Sequence, residues 1–257
     1  MVSASSDPSA AAYGGGAYVN GDTLVVHSTI SNNTVGASGD GGGIFARGDV
    51  SISYSTISGN SATNGGGGLV AEANLAVYDS TVSGNSAYTG AVETGGAVVA
   101  FENSTVSSNI ASRLPGIALR PYQPMSVLLQ STLITGNTYV YDGSIAENDL
   151  GRCCAAAQAP VTFMGTHNIV RSTAIDLPPG LASIGVCPLL SVLRDNGGPT
   201  KTHALLSSSP GIDEGEAGSF AYDQRGLPRE SGVAADIGAY ERDQFDVSFN
   251  NGFDGCP

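Results

Sequence analysis

Gly41-Gly42-Gly43 leads through Val50-Ser51-Ile52-Ser53-Tyr54 to Ser55-Thr56-Ile57-Ser58-Gly59-Asn60, and this unit recurs along the chain. Gly14-Gly15-Gly16 leads to Ser28-Thr29-Ile30-Ser31-Asn32-Asn33 before it. Gly66-Gly67-Gly68 leads to Ser80-Thr81-Val82-Ser83-Gly84-Asn85 after it, and Gly95-Gly96 leads to Ser104-Thr105-Val106-Ser107-Ser108-Asn109. A looser copy ends at Leu133-Ile134-Thr135-Gly136-Asn137, and Val161–Val170 reads as one more degenerate copy. The closing asparagines Asn33, Asn60, Asn85, Asn109 and Asn137 are separated by 27, 25, 24 and 28 residues. Self-similarity at such a period is the signature of a solenoid or array. Inside each unit the period is two: Val50, Ile52, Leu75 and Val77 fall on one face, and Ser51, Ser53, Ala76 and Tyr78 on the other. Short β-branched runs punctuated by Gly and Asn are strands and turns. A coil of two or three short strands, stacked about 4.8 Å from its neighbours, satisfies both periods.

The polar repeats have structural readings within that frame. Gly supplies positive φ at coil corners. Asn tolerates the left-handed region and bonds backbone; stacked once per coil, Asn33, Asn60, Asn85, Asn109 and Asn137 are expected to form an inward amide ladder. The Ser-Thr columns read as hydroxyl ladders and not as nucleophiles.

Composition narrows the partners. Among 257 residues there are 36 Gly and no Trp, and 13% are charged; 10 Lys+Arg against 23 Asp+Glu give a net charge of −13. Nucleic acid needs a basic face, so it is not expected as a partner. No run of 18 apolar residues exists, so no transmembrane segment is expected. The first residues, Met1 to Pro8, have neither the basic start nor the apolar core of a signal peptide; either export is absent or a signal lies upstream. Of the four cysteines, a bond between neighbours Cys153 and Cys154 would close a strained ring, so each is expected to bond one of Cys187 and Cys256. Disulfides imply an oxidising compartment.

After Asn137 the spacing decays and Pro, Gly and charge rise. Asp195-Asn196-Gly197-Gly198-Pro199-Thr200-Lys201-Thr202-His203, Ser209-Pro210-Gly211-Ile212-Asp213, Asp223-Gln224-Arg225-Gly226-Leu227-Pro228-Arg229 and Asp236-Ile237-Gly238-Ala239-Tyr240-Glu241 follow in order. These motifs resemble the C-terminal part of secreted bacterial parallel β-helix proteins that carry a choice-of-anchor Q type domain. The match is loose in the repeats and close from Asp195 to Glu241, with Gly211 and Glu214 departing from the usual Ala around the Ile-Asp pair. The resemblance implies an exported or cell-surface, adhesin-like protein and no particular reaction. Physically, the segment reads as a cap over an open solenoid end, fixed by a network among Asp213, Asp223, Arg225, Arg229 and Asp236.

Chemistry on a solenoid belongs to outward columns. The position before each Ser-Thr pair holds His27, Tyr54, Asp79 and Asn103, with Glu102 adjoining. His27, Tyr54, Asp79 and Glu102 are the catalytic candidates: a general base and acid, or paired carboxylates for glycoside hydrolysis. Asp22, Asp49 and Asn74 form a second column whose oxygens would suit calcium, although no cofactor is required. Tyr18, Phe45, Arg47, Glu72, Tyr78 and Asn103 are the ligand-binding candidates, Arg47 and Glu72 pairing across coils. The expectation is an all-β, right-handed parallel β-helix, with coils over 1–190 and a loop-rich cap over 191–257. Its expected function is extracellular binding of polysaccharide or another surface glycan. The alternative is a polysaccharide lyase or glycoside hydrolase working on one outward face.

Overall fold

A computed structural model describes residues 12–36, 38–141, 143–154 and 158–243. It is an all-β parallel solenoid of about five turns. Each coil has four sides, where the sequence pattern led us to expect two or three. In the second coil these are Ile44–Ala46, Val50–Ser53, Thr56–Ser58 and the two-residue Ser61–Ala62. The fourth side escaped the pattern because a two-residue strand has no alternation to read.

Neighbouring coils pair in parallel and in register, so like residues stack. Ile44, Leu69, Val92, Ile117 and Leu150 line the interior from the first side. Ile52, Val77, Phe101 and Leu129 do so from the second, and Ile57, Val82, Val106 and Ile134 from the third. The result is one narrow aliphatic core running the length of the solenoid.

The glycine triplets serve two purposes. The first member turns the chain with positive φ, as at Gly14, Gly41 and Gly66. The later members leave no space for a side chain: a Cβ on Gly42 would lie 2.4 Å from the Gly67 carbonyl oxygen of the next coil.

The asparagine ladder forms as expected. The Nδ2 groups of Asn33, Asn60, Asn85 and Asn109 donate to the Oδ1 of the next asparagine at 2.9, 3.0, 3.0 and 2.7 Å. Each receiving Oδ1 also accepts the backbone N–H of the preceding asparagine. Because all the amides point one way, the last rung must be an acceptor, and it is a carboxylate: Asn137 Nδ2 donates to Asp149 Oδ1 at 2.7 Å. Asp149 follows Asn137 by only 12 residues, because strand Thr138–Tyr141 doubles back on Ser144–Glu147 as an antiparallel pair. That hairpin breaks the repeat spacing and hid this rung from the sequence pattern.

Serine makes a second ladder: the backbone N–H groups of Ser28, Ser55 and Ser80 donate to the Oγ of Ser55, Ser80 and Ser104. The Asp22, Asp49 and Asn74 column is a third. Their Oδ1 atoms accept the N–H of Asp49, Asn74 and Val98. These oxygens thus have a backbone role.

Over its described residues, up to 243, the C-terminal segment packs along the third side, where a cap over an open end was expected. The outward column there is Thr29, Thr56, Thr81 and Thr105, then Leu133 and Ile169. The segment follows that change of chemistry. Thr56 donates to the Lys201 carbonyl, Thr81 donates to Gln224 Oε1, and Thr105 Oγ1 accepts the Ala239 N–H. Leu133 and Ile169 instead pack with Leu190, Leu205 and Ile237 in a second hydrophobic cluster.

The charge network is only partly the expected one. Asp223 pairs with Arg225 at 2.8 Å, and Arg225 lies 3.8 Å over the Tyr240 ring. Asp213 and Asp236 accept backbone N–H groups: Val233 and Ala234 donate to Asp213, and Asp213 and Arg242 donate to Asp236. Arg229 reaches out of the segment to Asp79 of the solenoid.

The cysteine pairing also differs from expectation: Cys153 and Cys154 bond each other. They directly follow strand Leu150–Arg152, with Cys154 at φ 67°. Cys187 is disulfide-bonded as well. Cys256 lies outside the described residues, as does the 249–254 tail. No helix among the described residues is long and apolar enough to cross a membrane.

Candidate functional site

The catalytic column expected from the sequence is a corner of the coil. His27, Tyr54, Asp79 and Asn103 all have positive φ, between 42° and 50°, and farther along Ser131 and His167 have positive φ at 48° and 57°. His27 and Tyr54 stack at 4.9 Å, and Phe220 of the C-terminal segment packs against both Tyr54 and Tyr78. Asp79 is completely buried beneath Arg229. Burial pushes its carboxyl up to about 7 against the pull of that guanidinium. Glu102 is buried too and accepts a bond from Ser219 Oγ, while Asn103 donates to the Ala217 carbonyl. The C-terminal segment therefore covers Asp79, Glu102 and Asn103, while His27 is exposed and Tyr54 half-buried, and the four candidates do not converge on one cleft.

The ligand-binding candidates divide between two places. Tyr18 and Phe45 stack at 5.7 Å with Tyr13 beside them. Arg47 lies over Tyr18 and reaches Glu72 at 3.6 Å, an exposed pair as expected. Asn103 is buried at that corner, and Tyr78 packs against Phe220 and lines a hollow on the second side. Asp22, Asp49 and Asn74 form the rim of a shallow hollow of about 400 Å³ on the second side, floored by Ser51, Ala76 and Ala100.

A more enclosed feature escaped the sequence reading. The other outward column of the third side is Ser31, Ser58, Ser83, Ser107 and Thr135. The C-terminal segment stands alongside it as a wall and encloses part of it: Ser31 and Ser58 are half-buried, and Ser83, Ser107 and Thr135 are buried. Two hollows of about 540 and 430 Å³ lie between column and wall. They share Ser83 and Leu193 as lining and follow one another along the column as a two-part trench. Four coil steps of about 4.8 Å make it about 19 Å long. Hydroxyls line its floor, and Pro188, Leu190, Val192, Leu193 and Pro199 supply apolar wall. Lys201 stands near one end, and Arg171 with Glu147, 3.0 Å apart, near the other.

At the middle of the trench Ser83 Oγ lies 2.8 Å from His203 Nε2. His203 Nδ1 lies 2.7 Å from the Ser191 carbonyl oxygen. A carbonyl only accepts, so Nδ1 carries the proton and Nε2 is left as acceptor for the Ser83 hydroxyl. Burial lowers the His203 pKa and favours this neutral ring. Ser191 is itself held, its N–H donating to the Ala204 carbonyl and its Oγ accepting the Ala204 N–H. One serine among many and a histidine 120 residues away carried no local signal of this contact.

Glu93 forms a second buried cluster, 3.1 Å from Arg120 Nε and 4.0 Å from Cys153 Sγ. Burial pushes its carboxyl up to about 7. Glu93, Cys153 and Cys154 are close enough together to hold an ion, but both sulfurs are committed to their own bond. Compared with family models, curated proteins and solved structures, the chain matches none.

Proposed function

We propose that this protein is an extracellular or surface-associated, adhesin-like module that binds polysaccharide along the trench of the third side. The trench itself carries the reading. Ligand sites are concave, largely apolar and supplied with a few placed polar groups. A row of hydroxyls one coil apart, facing an apolar wall, offers hydrogen bonds to sugar hydroxyls and contact to sugar C–H faces. The disulfide bonds fit an oxidising compartment. The resemblance of Asp195–Glu241 to the choice-of-anchor Q type domain of secreted bacterial β-helix proteins points the same way. The lyase or hydrolase alternative has less support, since Asp79 and Glu102 are held by Arg229 and Ser219 and line neither hollow of the trench.

A polysaccharide panel, scored for retention with and without calcium, tests this. At least one polysaccharide should be retained by the wild type, and Leu193→Asp, which puts a charge into the wall, should abolish retention. Retention of none, or equal retention by Leu193→Asp, overturns the proposal.

A further inference from the structure

We infer that Ser83 and His203 form an acyl-transfer dyad that removes ester-linked acyl groups from a glycan held in the trench. The substrate class rests on the polysaccharide reading above, whereas the dyad rests on its own geometry. A serine becomes a nucleophile when a base lies within hydrogen-bond reach and a third group orients that base. Ser83 and His203 meet at 2.8 Å, and the Ser191 carbonyl orients the ring from its far side. Both residues line the same hollow. Other hydroxyls of the floor, Ser58 among them, show no such histidine partner.

The reaction balances without a cofactor. Ser83 Oγ forms a bond to the acyl carbon as its proton passes to His203 Nε2. The tetrahedral oxyanion collapses, the acyl carbon–sugar oxygen bond breaks, and Nε2 returns the proton to the departing sugar oxygen. Water then gives a proton to Nε2 and its oxygen adds to the acyl carbon. The bond to Oγ breaks, Ser83 regains its proton, and the products are a carboxylic acid and a free sugar hydroxyl. Ser107 stands one coil along the floor, paired with Ser83 in register, where its hydroxyl can donate to the oxyanion. A backbone carbonyl stabilises an imidazolium less than a carboxylate does, so turnover should be slower than that of a full triad.

The test is labelling by a fluorophosphonate probe together with hydrolysis of p-nitrophenyl acetate and of an O-acetylated polysaccharide. The probe should modify Ser83 in the folded protein. Ser83→Ala should lower p-nitrophenyl acetate turnover by about 100-fold or more, and Thr162→Ala, exposed on the second side and outside the trench, should leave it unchanged. The wild-type rate should rise with pH through a single ionisation, that of His203. His203→Gln, checked for folding by circular dichroism, should also lose labelling. No labelling of the folded wild type, or equal turnover by Ser83→Ala, overturns the dyad and leaves a contact that only joins the C-terminal segment to the solenoid. If the acetylated polysaccharide is retained but Ser83 stays unlabelled, the dyad fails and the binding reading stands. If Ser83 is labelled and turns over p-nitrophenyl acetate while no polysaccharide is retained, the dyad stands and the glycan substrate fails.

Discussion

Asn85→Ala tests whether the amide ladder holds the coils in register. Asn85 is completely buried and takes part in four side-chain bonds. Its Oδ1 accepts the backbone N–H and the Nδ2 of Asn60, both at 3.0 Å. Its Nδ2 donates to the Ile57 carbonyl and to Asn109 Oδ1, both at 3.0 Å. After truncation, Asn60 Nδ2 still has the Ile30 carbonyl and Asn109 Oδ1 still has the Asn85 N–H. The Asn60 N–H loses its acceptor in a dry interior, which costs about 1–3 kcal/mol. The weakened remaining bonds and the void left by the amide add about 1–2 kcal/mol. The expected loss is therefore about 2–5 kcal/mol.

Asn33→Ala is the internal control. Asn33 is only half-buried, and no bond to its Oδ1 is formed among the described residues. It loses chiefly the donation to Asn60 Oδ1, which keeps the Asn33 N–H, so about 1 kcal/mol is expected. Urea unfolding followed by circular dichroism measures both, since the chain has no Trp to report by fluorescence. Equal losses for the two variants, or a loss below about 1 kcal/mol for Asn85→Ala, would refute the ladder as a source of stability.

Three further outcomes follow from buried charge and from the cysteines. Arg229→Met leaves Asp79 without its counter-ion and should destabilise the protein by about 3–5 kcal/mol at pH 8; lowering the pH to 5, where Asp79 holds a proton, or adding Asp79→Asn should recover most of that, as urea midpoints would show. Asp149 has its carboxyl raised by burial from an ordinary 3.8 to about 7, so the folded state holds this proton more tightly than the unfolded chain does. The stability it contributes is complete below about pH 4 and is lost as the pH rises through 7, so Asp149→Asn should flatten that decline in urea midpoints measured from pH 4 to 8. A bond between neighbours closes the smallest of loops and restricts the unfolded chain little. Replacing Cys153 and Cys154 together by Ser should therefore change the unfolding free energy by about 1 kcal/mol or less.

What was legible in the sequence is what repeats locally. Alternation of Val50 and Ile52 with Ser51 and Ser53 defines a strand face within four residues, and Asn60 to Asn85 defines a coil by one interval. Parallel in-register stacking then turns each interval into a column, so the amide and serine ladders followed without coordinates. Asp149 was lost because a hairpin broke the interval. The vicinal cysteine bond was lost because expected ring strain weighed against it.

The sequence by itself determined the solenoid, its aliphatic interior and the ladders, because each depends on contacts one period apart. It could not determine where the segment after Pro188 lies, since no repeat relates that segment to the coils. Only the tertiary structure decided that it runs along the third side, burying Asp79 under Arg229 and walling the Ser31–Thr135 column into a trench. That choice turned the expected catalytic face into a packed seam. It also brought His203 onto Ser83, a meeting of residues 120 positions apart that depends on two surfaces packing together and not on any local pattern.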